Sequence, residues 1–83
     1  MQITFKLFAS LTDYLPAPRK DNAIALDITP DTTIEDLVRR FQVPAKQVHL
    51  VLINGVYIPP LERASRAMKD GDVLAIWPPV AGG

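Results

Sequence analysis

The 83-residue sequence predicts an α+β domain in two layers, one sheet laid on one main helix. Three observations predict it. Alternating apolar and polar residues near both ends mark strands, one apolar stripe at helical spacing lies between them, and an Asn-Gly pair in the second half marks a hairpin.

In chain order, Gln2 to Phe8 comes first. Ile3, Phe5 and Leu7 point one way and Gln2, Thr4 and Lys6 the other, the pattern of a half-buried strand. Ser10 is placed to cap a short helix carrying Leu11, Tyr14 and Leu15, which Pro16 and Pro18 end. A polar loop from Ala17 to Asn22 leads to a second strand with Ile24, Leu26 and Ile28 on one face. The main helix is expected from Thr32, where Thr32 and Glu35 fit a capping box. Ile34, Leu37, Val38 and Phe41 then form its apolar stripe, and Pro44 closes the segment.

Val48 to Ile53 is apolar except at His49, which predicts a strand covered on both faces. Asn54-Gly55 turns it back, because both residues tolerate positive φ, and Val56 to Ile58 is the return strand. Pro59 to Lys69 has no clean period and is expected to be irregular with one helical turn. Asp70-Gly71-Asp72 forms a turn, and Val73 to Trp77 is the last strand.

Composition narrows the function classes. The hydrophobic fraction is 48%, enough for one compact core and too high for a disordered chain. With no cysteine, neither a disulfide framework nor a thiolate metal site is available. Nine basic and nine acidic side chains balance, which argues against nucleic acid as the main partner. Arg39-Arg40 and the Arg63, Arg66, Lys69 group have acidic neighbours and read as solvated mixed-charge surface. No apolar stretch is long enough to span a bilayer, and no basic region precedes an apolar run at the N-terminus. No membrane or metal association is expected, and the cytoplasm is the expected location.

The most informative stretch is Pro78-Pro79-Val80-Ala81-Gly82-Gly83. Proline stops the preceding strand, and glycines are costly to order. Residues 1–77 are therefore expected to fold and 78–83 to form a flexible tail, with the carboxylate of Gly83 as the functional group; a frayed end with no chemistry of its own is the alternative. Gly82 leaves its approach unobstructed. Extended, the tail would reach about 20 Å into a partner. Parity adds a docking surface. If Ile3, Phe5 and Leu7 face the helix, Phe8 points outward, and Trp77 shares the outer face of the last strand with Val73 and Ala75. Phe8, Trp77, Pro78, Pro79, Val80 and Ala81 are the expected partner-binding residues.

Leu7-Phe8-Ala9, Ile53-Asn54-Gly55 and the run from Lys69-Asp70-Gly71-Asp72 into Ala75-Ile76-Trp77-Pro78-Pro79 and the Gly-Gly ending together resemble the ubiquitin-like β-grasp fold. More narrowly, they resemble the MoaD/ThiS-type sulfur carriers, and the aromatic followed by Pro-Pro resembles the branch of the molybdopterin synthase small subunit. The resemblance implies a mixed β-grasp sheet packed on one main helix. It also implies a protein co-substrate rather than an enzyme acting alone. A ubiquitin-activating-type enzyme would adenylate Gly83 with ATP, and a sulfurtransferase or cysteine desulfurase would convert it to a thiocarboxylate. The molybdopterin synthase large subunit would receive the tail, and no cofactor would be bound. Thr12 and Asp13 stand where molybdopterin-type carriers often have a basic residue, which keeps a carrier for another pathway, such as thiamine, as an alternative.

Two other classes compete. A ubiquitin-like modifier would pass activated Gly83 to a lysine amine, and a plain binding module would use the sheet face without tail chemistry. The residues themselves provide no nucleophile-base pair or phosphate loop. His49 lacks a partner base and reads as a strand residue at an edge or surface. Asp70 and Asp72 read as turn formers, and Tyr57 fits either surface or core.

Overall fold

The computed structural model describes residues 1–17 and 21–79. Five strands form one mixed sheet: β1 (Gln2–Leu7), β2 (Ala23–Asp27), β3 (Leu50–Ile53), β4 (Val56–Tyr57) and β5 (Val73–Trp77). Their spatial order is β2-β1-β5-β3-β4. β1 and β5 pair in parallel at the centre, and the remaining pairs are antiparallel. One helix, α1 (Ile34–Arg40), covers one face of the sheet. This is the β-grasp arrangement expected from the sequence.

Alternation in β1 and β5 decides which face is covered. Ile3, Phe5 and Leu7 face Leu74 and Ile76, joined by Val51 and Ile53, and all are buried with Ile34 and Leu37 of α1. Phe5 lies 5.1 Å from Phe41 between ring centroids. Each fully buried aliphatic or aromatic side chain here contributes roughly 1.5–3 kcal/mol of transfer free energy. That core holds the central strand from which the tail leaves.

Several local expectations shift. The helix cap is Thr33, not Thr32: the Thr33 hydroxyl accepts from the Asp36 N–H at 3.2 Å, and the Thr33 N–H donates to the Asp36 carboxylate at 3.0 Å. Thr32 is engaged elsewhere, its hydroxyl 2.9 Å from that of Thr29 and its carbonyl accepting from the Met68 N–H. The segment after β1 is a 3-10 helix, Ala9–Tyr14, with Phe8 at its N-cap and no side-chain cap, so Ser10 does not play that part. Of the Leu11, Tyr14 and Leu15 set, the two leucines are buried and Tyr14 is exposed. The expectation that Pro18 ends this segment falls outside the described residues.

β3 begins only at Leu50, because residues 45–47 form a 3-10 turn, and it is covered on one face alone. Val51 and Ile53 are buried, whereas Leu50 is 36% exposed and Leu52 half-buried. An unbroken apolar run need not mean two covered faces; here it supplies an apolar outer surface. The Asn54-Gly55 hairpin forms with φ of 51° and 82°. Among the described residues, no helix is long and apolar enough to cross a membrane.

Candidate functional site at the root of the tail

Pairing places Lys6, Ala75, Leu52 and Tyr57 in one row across the outer face, with Trp77 and Leu50 in the next. Only Ala75 in this set is buried, at 7% exposed, with Lys6 and Leu52 as its cross-strand neighbours. Tyr57, compatible with either environment from sequence, is 51% exposed.

At the end of β5 the two outward-facing aromatics meet. Phe8 and Trp77 stack with ring centroids 4.2 Å apart and planes 3° from parallel. Each is half-buried, because each covers one face of the other. The backbone holds the same point. The Phe8 N–H donates to the Ile76 carbonyl at 3.1 Å, and the His49 N–H donates to the Trp77 carbonyl at 3.1 Å. Pro78 is buried and Pro79 exposed, so the chain is packed one residue beyond the strand. The remaining expected tail residues, Val80, Ala81, Gly82 and Gly83, lie outside the described residues.

Beside this root runs an open, mainly apolar groove lined by Ala9, Ser10, His49, Leu50, Trp77, Pro78 and Pro79. Ala9, Ser10 and Leu50 were not foreseen as site residues, although the Leu50 parity on β3 was a usable signal. Ala9 has φ of 52°, a conformation in which an alanine is strained. Thr12 secures that turn, its hydroxyl donating to the Ala9 carbonyl at 2.7 Å and to the Leu7 carbonyl at 3.4 Å. His49 is exposed at the groove, before β3 starts.

The acidic candidates of the Asp70-Gly71-Asp72 turn prove structural. Asp70 accepts from the Gln2 N–H at 2.8 Å. Asp72 accepts from the Asn54 amide and the Lys69 N–H, each at 2.9 Å. Among the described residues, no group of three or more His, Cys, Asp or Glu side chains could hold a metal ion.

The basic clusters divide. Arg39 pairs with Asp36 at 2.7 Å and Glu35 at 3.9 Å on the helix surface. Arg63, expected on solvated surface, is instead 9% exposed, and its guanidinium donates to the carbonyls of Ile58, Val48 and His49. Backbone acceptors replace the acidic neighbours that sequence suggested.

A family model described as Mut7-C ubiquitin matches residues 1–82. The chain belongs to the Mut7-C ubiquitin family. Solved structures share its ubiquitin-like β-grasp fold. SAMP1 from Haloferax volcanii is 27% identical with a TM-score of 0.68, each chain covered over 100% of its length. The Haloferax volcanii HVO 2177 protein is similar in fold, at 24% identity and a TM-score of 0.75, over 100% of this chain and 87% of that one. So is a chain of the complex of subunits 1 and 2 of molybdopterin-converting factor from Helicobacter pylori 26695, at 23% identity, a TM-score of 0.59 and 100% coverage of both chains. No protein of curated function matches this Mut7-C ubiquitin family member.

Proposed function

We propose that the chain is a sulfur carrier whose Gly83 carboxylate is adenylated, converted to a thiocarboxylate and used as a sulfur donor in molybdopterin biosynthesis. The observation that carries this reading is the route of the chain at Trp77 to Pro79. A central strand, fixed on both sides, delivers a tail ending in Gly82-Gly83 beside an apolar surface. Similarity to SAMP1 adds support. The fold likeness to a chain held in the complex of the two molybdopterin-converting factor subunits supports a large-subunit partner.

The chemistry follows from the carboxylate. A C-terminal carboxyl has a pKa of about 3.5, so at neutral pH it is an anion and a poor electrophile. Its oxygen attacks the α-phosphorus of ATP, and pyrophosphate leaves. The terminal sulfur of a partner's persulfide then attacks the carbonyl carbon and expels AMP. A second thiol cleaves the resulting S–S bond, releasing the thiocarboxylate and leaving the partner as a disulfide. Glycine at both final positions keeps side chains out of the attack trajectory. Phe8, Trp77, Pro78, Pro79 and the neighbouring groove dock the activating enzyme, while Val80 and Ala81 lie in its channel. Catalytic groups come from the partners, in the cytoplasm, and ATP is bound by the activating enzyme.

The Mut7-C ubiquitin description supports a second reading, in which the same acyl-adenylate is passed to a lysine amine. ATP–pyrophosphate exchange tests activation itself. The full chain should stimulate exchange by a ubiquitin-activating-type enzyme, and a chain lacking Gly83 should not. Equal stimulation by both removes Gly83 from the chemistry. Lysine-linked adducts formed in preference to thiocarboxylate select the modifier.

A further inference from the structure

Arg63 is the one buried charged residue among the described residues, and no carboxylate there pairs with it. A buried cation is costly unless its donors are satisfied, so its partners reveal what it fastens. Its Nε donates to the Ile58 carbonyl at 3.1 Å, its Nη1 to Val48 at 3.4 Å and its Nη2 to His49 at 3.1 Å. The Arg63 carbonyl accepts from the Glu35 N–H at 3.0 Å, in the first turn of α1. One residue thus joins the start of the helix, the segment after β4 and the two residues before β3. The last of those contacts leads to the tail, because the His49 N–H donates to the Trp77 carbonyl.

We propose that Arg63 is a positioning residue for the C-terminal tail. Its forked guanidinium fixes the backbone at Val48 and His49, and that backbone holds Trp77 where the chain leaves the sheet. A planar fork spreads its donors in a fixed geometry that suits carbonyls on two separate segments, whereas a lysine ammonium gathers its three donors at one point. The sheet ladder alone would leave the last residue of β5 free to fray, as strand ends do. With Arg63 in place, the tail starts from a defined point beside the Phe8–Trp77 stack. The consequence for activation rests on the sulfur-carrier reading, whereas the positioning itself does not.

Amide hydrogen exchange separates positioning from general support. The His49 N–H and the Asn54 N–H both donate to β5, at Trp77 and Val73, so they report opposite ends of one strand pair. In Arg63→Met, loss of charged hydrogen bonds should accelerate exchange at His49 by about tenfold or more relative to Asn54. Arg63→Lys should give a smaller rise, and it serves as the test variant if the methionine protein does not fold. Equal acceleration at the two amides, or none at either, overturns the proposal. The second readout is ATP–pyrophosphate exchange, in which the variants should raise the apparent KM for the chain while leaving kcat near the wild-type value. An unchanged KM alongside selective loosening at His49 would overturn the link to activation. A wild-type chain that the activating enzyme ignores would sink the carrier reading, and the amide ratio would still decide the positioning.

Discussion

The two ends of the β3–β5 strand pair are built differently. At the end where β5 begins, side chains lace the turns together. Asp72 accepts from Asn54 and from the Lys69 N–H, the Asn54 side chain accepts from the Val73 N–H, and Asp70 accepts from the Gln2 N–H. Positive φ there falls on Asn54, Gly55 and Gly71, residues that adopt it at low cost. At the end where β5 stops, the partners are an aromatic stack, a buried proline, backbone bonds and the long Arg63 side chain on the Val48 and His49 carbonyls, and the positive φ falls on Ala9, whose carbonyl accepts from the Thr12 hydroxyl. One end is closed by short polar side chains. The other presents apolar surface and tolerates strain, the combination expected where a partner completes the contact.

Substitutions at each end should break this contrast in opposite ways. The largest effect is expected from Trp77→Ala, which removes the centre of the apolar surface. Affinity for an activating enzyme should fall by about 2 kcal/mol or more, the loss typical of a buried aromatic anchor. Titration calorimetry checks it, and unchanged affinity would remove this surface from docking. Asp72→Ala should do the reverse, costing about 1–2 kcal/mol of folding stability through two lost acceptor contacts. Denaturant unfolding should register that loss with partner affinity unaltered.

Ala9→Gly sharpens the comparison at smaller scale. Glycine relieves the φ of 52°, but it also gives the unfolded chain more freedom. A net gain of about 0.5 kcal/mol is expected. Because the alanine methyl also leaves the groove, partner affinity should fall while thermal stability rises. A protein stabilised with undiminished affinity would show that the strained alanine has no part in docking.

How much was legible follows from where the signals reside. β1, β5 and the Asn54-Gly55 hairpin could be read because alternation and turn chemistry are local. The helix cap was misplaced by one residue because Thr32 and Thr33 stand three before Glu35 and Asp36 respectively, two boxes of similar quality. Only the Thr29 and Met68 contacts, which engage Thr32, decide between them. Parity placed Phe8 and Trp77 on the outer face, but not their half-burial, which depends on stacking. Arg63 was misread because its partners are backbone carbonyls, which leave no trace in residue types.

The smallest expected effect tests the cap. The Thr33 N–H donating to Asp36 holds its carboxyl below the usual value, and the neighbouring Arg39 acts in the same direction. A depressed folded-state pKa adds stability above the unfolded value of about 3.9, lost as pH falls through the lower folded value. Thermal unfolding followed downward from neutral pH should therefore show a larger loss in wild type than in Asp36→Asn. An identical acid profile would remove Asp36 from that transition.

Under the proposed function, the tail that follows β5 is modified at Gly83. The most direct test is the intact mass of the full chain after incubation with an activating enzyme, ATP and a persulfide donor. A gain equal to replacing one oxygen by sulfur, lost when Gly83 is deleted and weakened in Trp77→Ala, is the predicted result. A folded chain whose mass does not change, under conditions where the same enzymes load another carrier, would contradict it.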